Sequence, residues 1–239
     1  MPKKKHNKPI ELYFWPTPNG QKIAIALEEL ELPYVVHPVN ITRGDPFQPE
    51  YLAISPNNKM PAIVDPDGPG GEPVSIFESG AILQYLARRT GKLRGKGKRD
   101  RLVVEQWLFW PVAGFGPMAG QAHHFRHYAP EKIQYGIDRY TNELTRLYGV
   151  LDKQLAGRDF IANKYSIADI ASYPWALAWE KQGQDISTFP NVKAWLARIG
   201  ARPGVIRGMA TGKDLAPQQV DLSQDKEAQK ILFGSRSKS

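Results

Sequence analysis

The rhythm of hydrophobic and polar positions changes several times along the chain. Residues 10–15 form a short run rich in β-branched and aromatic side chains, ended by the breaker cluster Pro16-Thr17-Pro18-Asn19-Gly20. From 21 to 32 the apolar residues Ile23, Ala26, Leu27 and Leu30 recur on one helical face. Residues 34–41 read as a second strand, which makes a strand–helix–strand unit with an expected right-handed crossover. A short helical piece near 47–54 follows. Pro61-Ala62-Ile63-Val64-Asp65 and Val74-Ser75-Ile76-Phe77 then read as two strands, joined by a Gly- and Pro-rich turn into a hairpin. Residues 78–90 read as a helix with Ile82, Leu83, Tyr85 and Leu86 on its apolar side, closed by Gly91. The order is β-α-β-α-β-β-α.

The second half carries no convincing strand. Helical periodicity runs over about 99–113, 129–155, 167–180 and 192–198. Ser166-Ile167-Ala168-Asp169 is a helix-start signal, because the Ser166 hydroxyl can accept from a free first-turn amide and Asp169 can reach back. The fold class is therefore α/β plus all-α. The expected division is a basic tail at 1–9, an α/β domain at 10–91, a basic linker at 92–98, a helical domain at 99–210 and a loose polar tail at 211–239.

Hydrophobic residues make up 41% of the 239, enough for a core without staples. There is no cysteine, so disulfides and thiolate metal sites are excluded, and any chemistry on sulfur must borrow a thiol from a ligand. No stretch approaches the roughly 18 apolar residues of a membrane span. The first residues lack the apolar core of a secretory signal, so a cytoplasmic location is expected. The net charge of +8 raises the question of nucleic acid. Four lysines in the first eight residues, and eight Lys or Arg from Arg88 to Arg101, supply the whole excess. The rest is near neutral, so a nucleic-acid partner is not expected.

Three places carry candidate chemistry. Pro61 opens an apolar strand, where proline is tolerated because the first residue need not donate to the ladder. A cis Met60-Pro61 peptide would leave the Met60 main chain free to pair with a peptide-like ligand. Glu78-Ser79-Gly80 opens a helix, where first-turn amides welcome a carboxylate and Glu78 could hold an ammonium, a combination suited to an amino-acid head group. Thr17-Pro18-Asn19-Gly20 lies at the carboxyl end of the first strand, where α/β ligands collect. The Thr17 hydroxyl, the Asn19 amide and helix-start amides would favour a thiolate there. Taken singly, each of these also fits plain turn or capping chemistry.

Together these motifs resemble the cytosolic glutathione transferases, from about residue 10 to 207. Pro16-Thr17-Pro18-Asn19-Gly20, the Ser55 to Ile63 stretch SPNNKMPAI, and FESGAI from Phe77 to Ile82 resemble the glutathione domain, and Ser166 to Asp169 the helical domain. Trp107-Leu108-Phe109-Trp110 and His123-His124-Phe125 look like the bacterial nu class, itself related to the fungal nitrogen-regulator prion protein. The resemblance implies a thioredoxin-like N-terminal domain and glutathione as cosubstrate, without metal. It implies Asn19 and Thr17 facing the glutathione sulfur, Met60 pairing with the cysteinyl unit beside cis Pro61, and Glu78 and Ser79 holding the γ-glutamyl end. It further implies a homodimer in which Arg139 reaches the neighbouring subunit's glutathione. The family's usual polar residue near the glycyl end is replaced by Pro46, so that contact is lost or comes from elsewhere, with Lys59 the candidate.

The function implied is glutathione-dependent disulfide reduction with weak conjugation of electrophiles. The alternative is a non-catalytic regulator that binds a protein partner. His123 and His127, four apart, tempt a metal assignment, but no third ligand lies near them in sequence. They read instead as cleft lining or plain structure. The cluster Gly114, Gly116, Gly120 follows no strand and does not fit a dinucleotide fingerprint.

Overall fold

The computed structural model describes residues 8–218 and 220–234. Residues 1–7, most of the basic tail, lie outside them. Strand β1 (Ile10–Phe14) buries Ile10, Leu12 and Phe14, the alternation expected of a pleated strand packed on one face. It pairs in parallel with β2 (Tyr34–Pro38) and antiparallel with β3 (Ala62–Asp65). The hairpin of β3 with β4 (Val74–Phe77) completes a mixed sheet in the order β2-β1-β3-β4. Helices α1 (Pro18–Leu30), α2 (Pro49–Leu52) and α3 (Ser79–Thr90) complete the expected element order, a thioredoxin-like domain.

Helix α1 departs from its sequence reading in one respect. The residues from Lys22 to Leu27 are all buried, not just one face. The reason is that α1 lies between the sheet and the helical domain and packs against both α7 (Ile167–Ala176) and α9 (Pro203–Ala210). Gly208 makes the α9 contact possible, since a Cβ there would stand 2.5 Å from the Ile25 Cα.

The helical domain continues with α4 (Lys98–Trp110), α5 (Gly116–His123), α6 (Gln134–Leu155), α8 (Pro190–Gly200) and α10 (Lys226–Phe233). Wider π-type turns flank α5 at Pro111–Phe115 and His124–Tyr128. Its core gathers Phe115, Tyr148 and Trp195 and is continuous with that of the sheet domain. Periodicity missed α5, because Gly116, Pro117 and Gly120 are poor helix formers in isolation. Tertiary packing overrides propensity there. A Cβ on Gly116 would come within 3.0 Å of the Trp175 indole nitrogen, so the glycine serves close approach.

Helix α7 starts as expected. Ser166 caps it by accepting from the Ala168 amide, and Asp169 accepts from the Ser166 amide at 3.0 Å. Asp169 also accepts from the Ile161 amide at 2.9 Å and the Trp195 indole at 3.0 Å. Burial pushes its carboxyl up to about 6 even though these donors pull it down.

The region after 211, expected to be a loose polar tail, is ordered in its described part, 211–218 and 220–234, while 219 and 235–239 lie outside the described residues. It carries α10, whose Ala228 is fully buried and whose Phe233 stacks on Tyr128. Arg43, in a turn of the sheet domain, pairs with Asp225 and Glu227, each at 3.5 Å. Sparse apolar positions hid this segment, because its partners come from two distant parts of the chain.

Candidate active site

The N-terminus of α1 stands at the centre of the site. Thr17 caps the helix, its hydroxyl oxygen accepting from the Gly20 amide at 3.3 Å and its proton directed to the Met60 sulfur at 3.4 Å. Gly20 must be glycine, because a Cβ would lie 2.3 Å from the Trp15 carbonyl oxygen. Asn19 is held from the helical domain: its Oδ1 accepts from the Trp175 indole at 3.0 Å. That bond leaves the Asn19 amide N–H groups as the donors that face outward.

The Met60–Pro61 peptide is cis, and Met60 stands outside the β3 register. The Lys59 carbonyl just before it accepts from the Tyr51 and Ser55 hydroxyls, each at 2.8 Å, which fixes this turn from below. Glu78 adopts φ 69° and ψ 114°, a backbone state costly for a residue with a side chain. It precedes α3 without capping it, and Asn57 donates to its carboxylate at 3.4 Å. The hydroxyl of Ser79, a residue 8% exposed, makes no hydrogen bond within the described residues.

Three concavities lie around the α1 start, two of them lined by Asn19 and the third by Thr17. One of about 160 Å³ is lined by Asn19, Asn57, Lys59, Met60, Pro61, Phe77, Glu78 and Ser79. A second, of about 310 Å³, runs from Asn19, Glu78 and Ser79 to α5 and Trp175, with Lys22 in its wall. The third and largest, about 610 Å³, opens from Thr17 toward His123, Tyr128, Lys181 and the 220–222 segment.

The structure gathers Asn19, Lys59, Met60, Pro61, Glu78 and Ser79 into one cleft, and Thr17 joins them through its bond to the Met60 sulfur. Arg139 is not among them within the chain. It lies on exposed α6 surface. Pro46 is buried in the Asp45–Phe47 turn and lines none of the three concavities. Sequence reasoning missed Lys22, Trp175 and the 220–222 segment. Lys22 carried one faint signal, its position one helical turn after Asn19. Burial pushes its ammonium down to about 7, against the opposing pull of the Glu78 charge.

His123 faces the largest cleft. Burial and the nearby His127 and Lys181 push its imidazole down to about 4, so it is neutral at pH 7. Among the described residues no group of three or more His, Asp or Glu side chains could hold a metal ion.

Family comparison decides what this cleft belongs to. The model of the glutathione S-transferase N-terminal domain matches residues 12–94, and that of the C-terminal domain matches 116–203. The chain belongs to the glutathione S-transferase family. It is 52% identical over 213 residues to the disulfide-bond oxidoreductase YfcG of Escherichia coli, spanning 88% of this chain and 96% of that protein. A glutathione transferase from Pseudomonas putida, solved with one glutathione disulfide bound per subunit, superposes with a TM-score of 0.82 at 44% identity. It covers 87% of this chain and 94% of its own. One from Burkholderia graminis, with two glutathione molecules bound per subunit, also gives 0.82, at 43% identity over 88% and 91% of the two chains. In family terms, the 160 Å³ cleft lies in the matched N-terminal domain. The 610 Å³ cleft is shared between the two domains and the C-terminal segment beyond them.

Proposed function

We propose that this transferase is a glutathione-dependent disulfide-bond oxidoreductase in which glutathione supplies every reacting sulfur. The observation that carries the reading is that Asn19 and Thr17, two residues apart at the α1 start, line separate clefts in a chain without cysteine. One glutathione lies along Met60, Pro61, Glu78 and Ser79, with Lys59 near its glycyl end. Its sulfur rests at the α1 start. There it accepts a hydrogen bond from the Thr17 hydroxyl, in place of the Met60 sulfur, and another from the Asn19 amide. These neutral donors favour the thiolate. The disulfide, and then a second glutathione, enter by the larger cleft.

The exchange balances without a protein thiol. The bound thiolate attacks one sulfur of R–S–S–R, forming a mixed disulfide and releasing RS⁻, which takes a proton from water. The second glutathione, as thiolate, attacks the glutathione sulfur of the mixed disulfide. Glutathione disulfide forms and the second RS⁻ leaves. Two glutathiones are oxidised and one disulfide becomes two thiols. The relatives crystallised with glutathione disulfide or two glutathiones support this reading, as does the similarity to YfcG. Conjugation of electrophiles is weak, because the α1 turn stabilises a thiolate without offering a general base to make one.

The finer assignments belong to the same proposal. The chain is of the nu class, divides near residues 92–98, works in the cytoplasm and forms a homodimer. Exposed apolar side chains on the outer faces of α4 and α6, with Phe109 58% and Tyr135 79% exposed, suit a two-fold interface. Arg139 on α6 then reaches the glutathione of the neighbouring subunit.

The test is glutathione-dependent reduction of bis(2-hydroxyethyl) disulfide beside conjugation of 1-chloro-2,4-dinitrobenzene. The expected result is robust reduction and weak conjugation, with Asn19→Ala lowering the reduction rate about tenfold to a thousandfold. Strong conjugation without reduction would make it a conjugating transferase, and glutathione binding with neither activity a regulator.

A further inference from the structure

Lys22 is 1% exposed, yet it lines the 310 Å³ cavity beside Asn19, Glu78 and Ser79. Its ammonium makes no hydrogen bond or ion pair within the described residues. A buried, unpaired charge is one of the costlier features a fold can carry. Glu78 is the one other charged side chain lining that cavity, and it is exposed. The cavity also holds the start of α3, a helix of 12 residues whose first-turn amides lack a side-chain cap. The wall thus offers an amine and open amides beside a separate carboxylate. That set matches an α-amino-acid head group, with its carboxylate toward Lys22 and α3 and its ammonium toward Glu78.

We propose that Lys22 is a carboxylate-recognising residue of the glutathione pocket, and that the arriving γ-glutamyl carboxylate draws a proton onto its amine. The inference rests on the proposed placement of glutathione and adds a residue and a linkage to it. Burial outweighs the Glu78 charge and holds Lys22 near the point of half protonation at neutral pH. Cavity neighbours from α5, α7 and the turn before α5 bring no charge against it, being Gly116, Pro117, Gly120, Gln121, Trp175, Pro111 and Val112. A ligand carboxylate adds to the pull of Glu78 and favours the protonated form.

The probe is S-methylglutathione, which has no thiol proton to confuse the count. Titration calorimetry at pH 8, in buffers of different ionisation enthalpy, counts protons exchanged on binding. At that pH an amine titrating at about 7 holds roughly a tenth of a proton, so binding should take up roughly half a proton or more. Lys22→Met should abolish the uptake and weaken binding at least about tenfold. Lys22→Arg, always charged, should abolish the uptake while holding affinity within a few-fold. Binding to the natural chain without proton uptake would overturn the inference and leave the proposed function standing. So would uptake that persists in Lys22→Met, since the proton would then go elsewhere. Failure to bind at all at millimolar ligand would overturn both.

Discussion

Two helix starts in this molecule are built to opposite ends. At α7, Ser166 and Asp169 satisfy each other and two further donors, and the buried turn has nothing left to offer a ligand. At α3, Glu78 is strained and its side chain caps nothing, the Ser79 hydroxyl is unpartnered, and the nearby Lys22 is buried without a hydrogen bond or ion pair. Both are first turns with the same supply of free amides. One is closed by its own sequence and holds the fold. The other is left open, at a cost in stability, as the proposed glutathione site requires.

Opening the closed start at α7 should have the largest effect. Asp169→Ala leaves the Ser166 and Ile161 amides and the Trp195 indole without their buried acceptor, and should lower unfolding free energy by about 3–5 kcal/mol. Urea melts would measure it. The pH dependence has a definite sign. The folded-state carboxyl at about 6 lies above its ordinary 3.8, so its proton is held more tightly folded than unfolded. That contribution is complete below the ordinary value and lost as pH rises through about 6. The stability gap between the natural chain and Asp169→Ala should therefore be larger at pH 5 than at pH 7.5.

A reciprocal pair sharpens the contrast. Ser79→Ala should weaken glutathione binding by about 1–3 kcal/mol with little change in melting. Ser166→Ala should lower stability by about 1 kcal/mol, the usual loss of a cap, with glutathione affinity unchanged. Calorimetry and thermal melts on both variants would read the four numbers. If Ser79→Ala also melts early, the α3 start is structural after all.

The smallest effect tests the strain. Glu78→Gly removes the side chain that makes φ 69° costly, and should gain up to about 1 kcal/mol of stability while losing glutathione affinity. A loss of both would mean that Glu78 supports the fold.

The sequence by itself determined the order of elements in the first domain, because period-two and helical spacings are local properties of the chain. It determined the α7 start, since a capping box closes within four residues. It determined that no protein thiol takes part in the chemistry, since that needs only a count. It also brought Thr17, Asn19, Met60 and the Glu78-Ser79 pair into view, as turn and helix-start residues whose chemistry is written in their neighbours. Tertiary structure alone decided the rest. Lys22 reads as one more solvated lysine until the helical domain packs on α1 and buries it. Asn19 acquires a direction only when Trp175, 156 residues away, fixes its amide. Helices α5 and α10 form against partners that propensity cannot see. Burial and long-range pairing are sums over the whole chain, and no local window of sequence contains them.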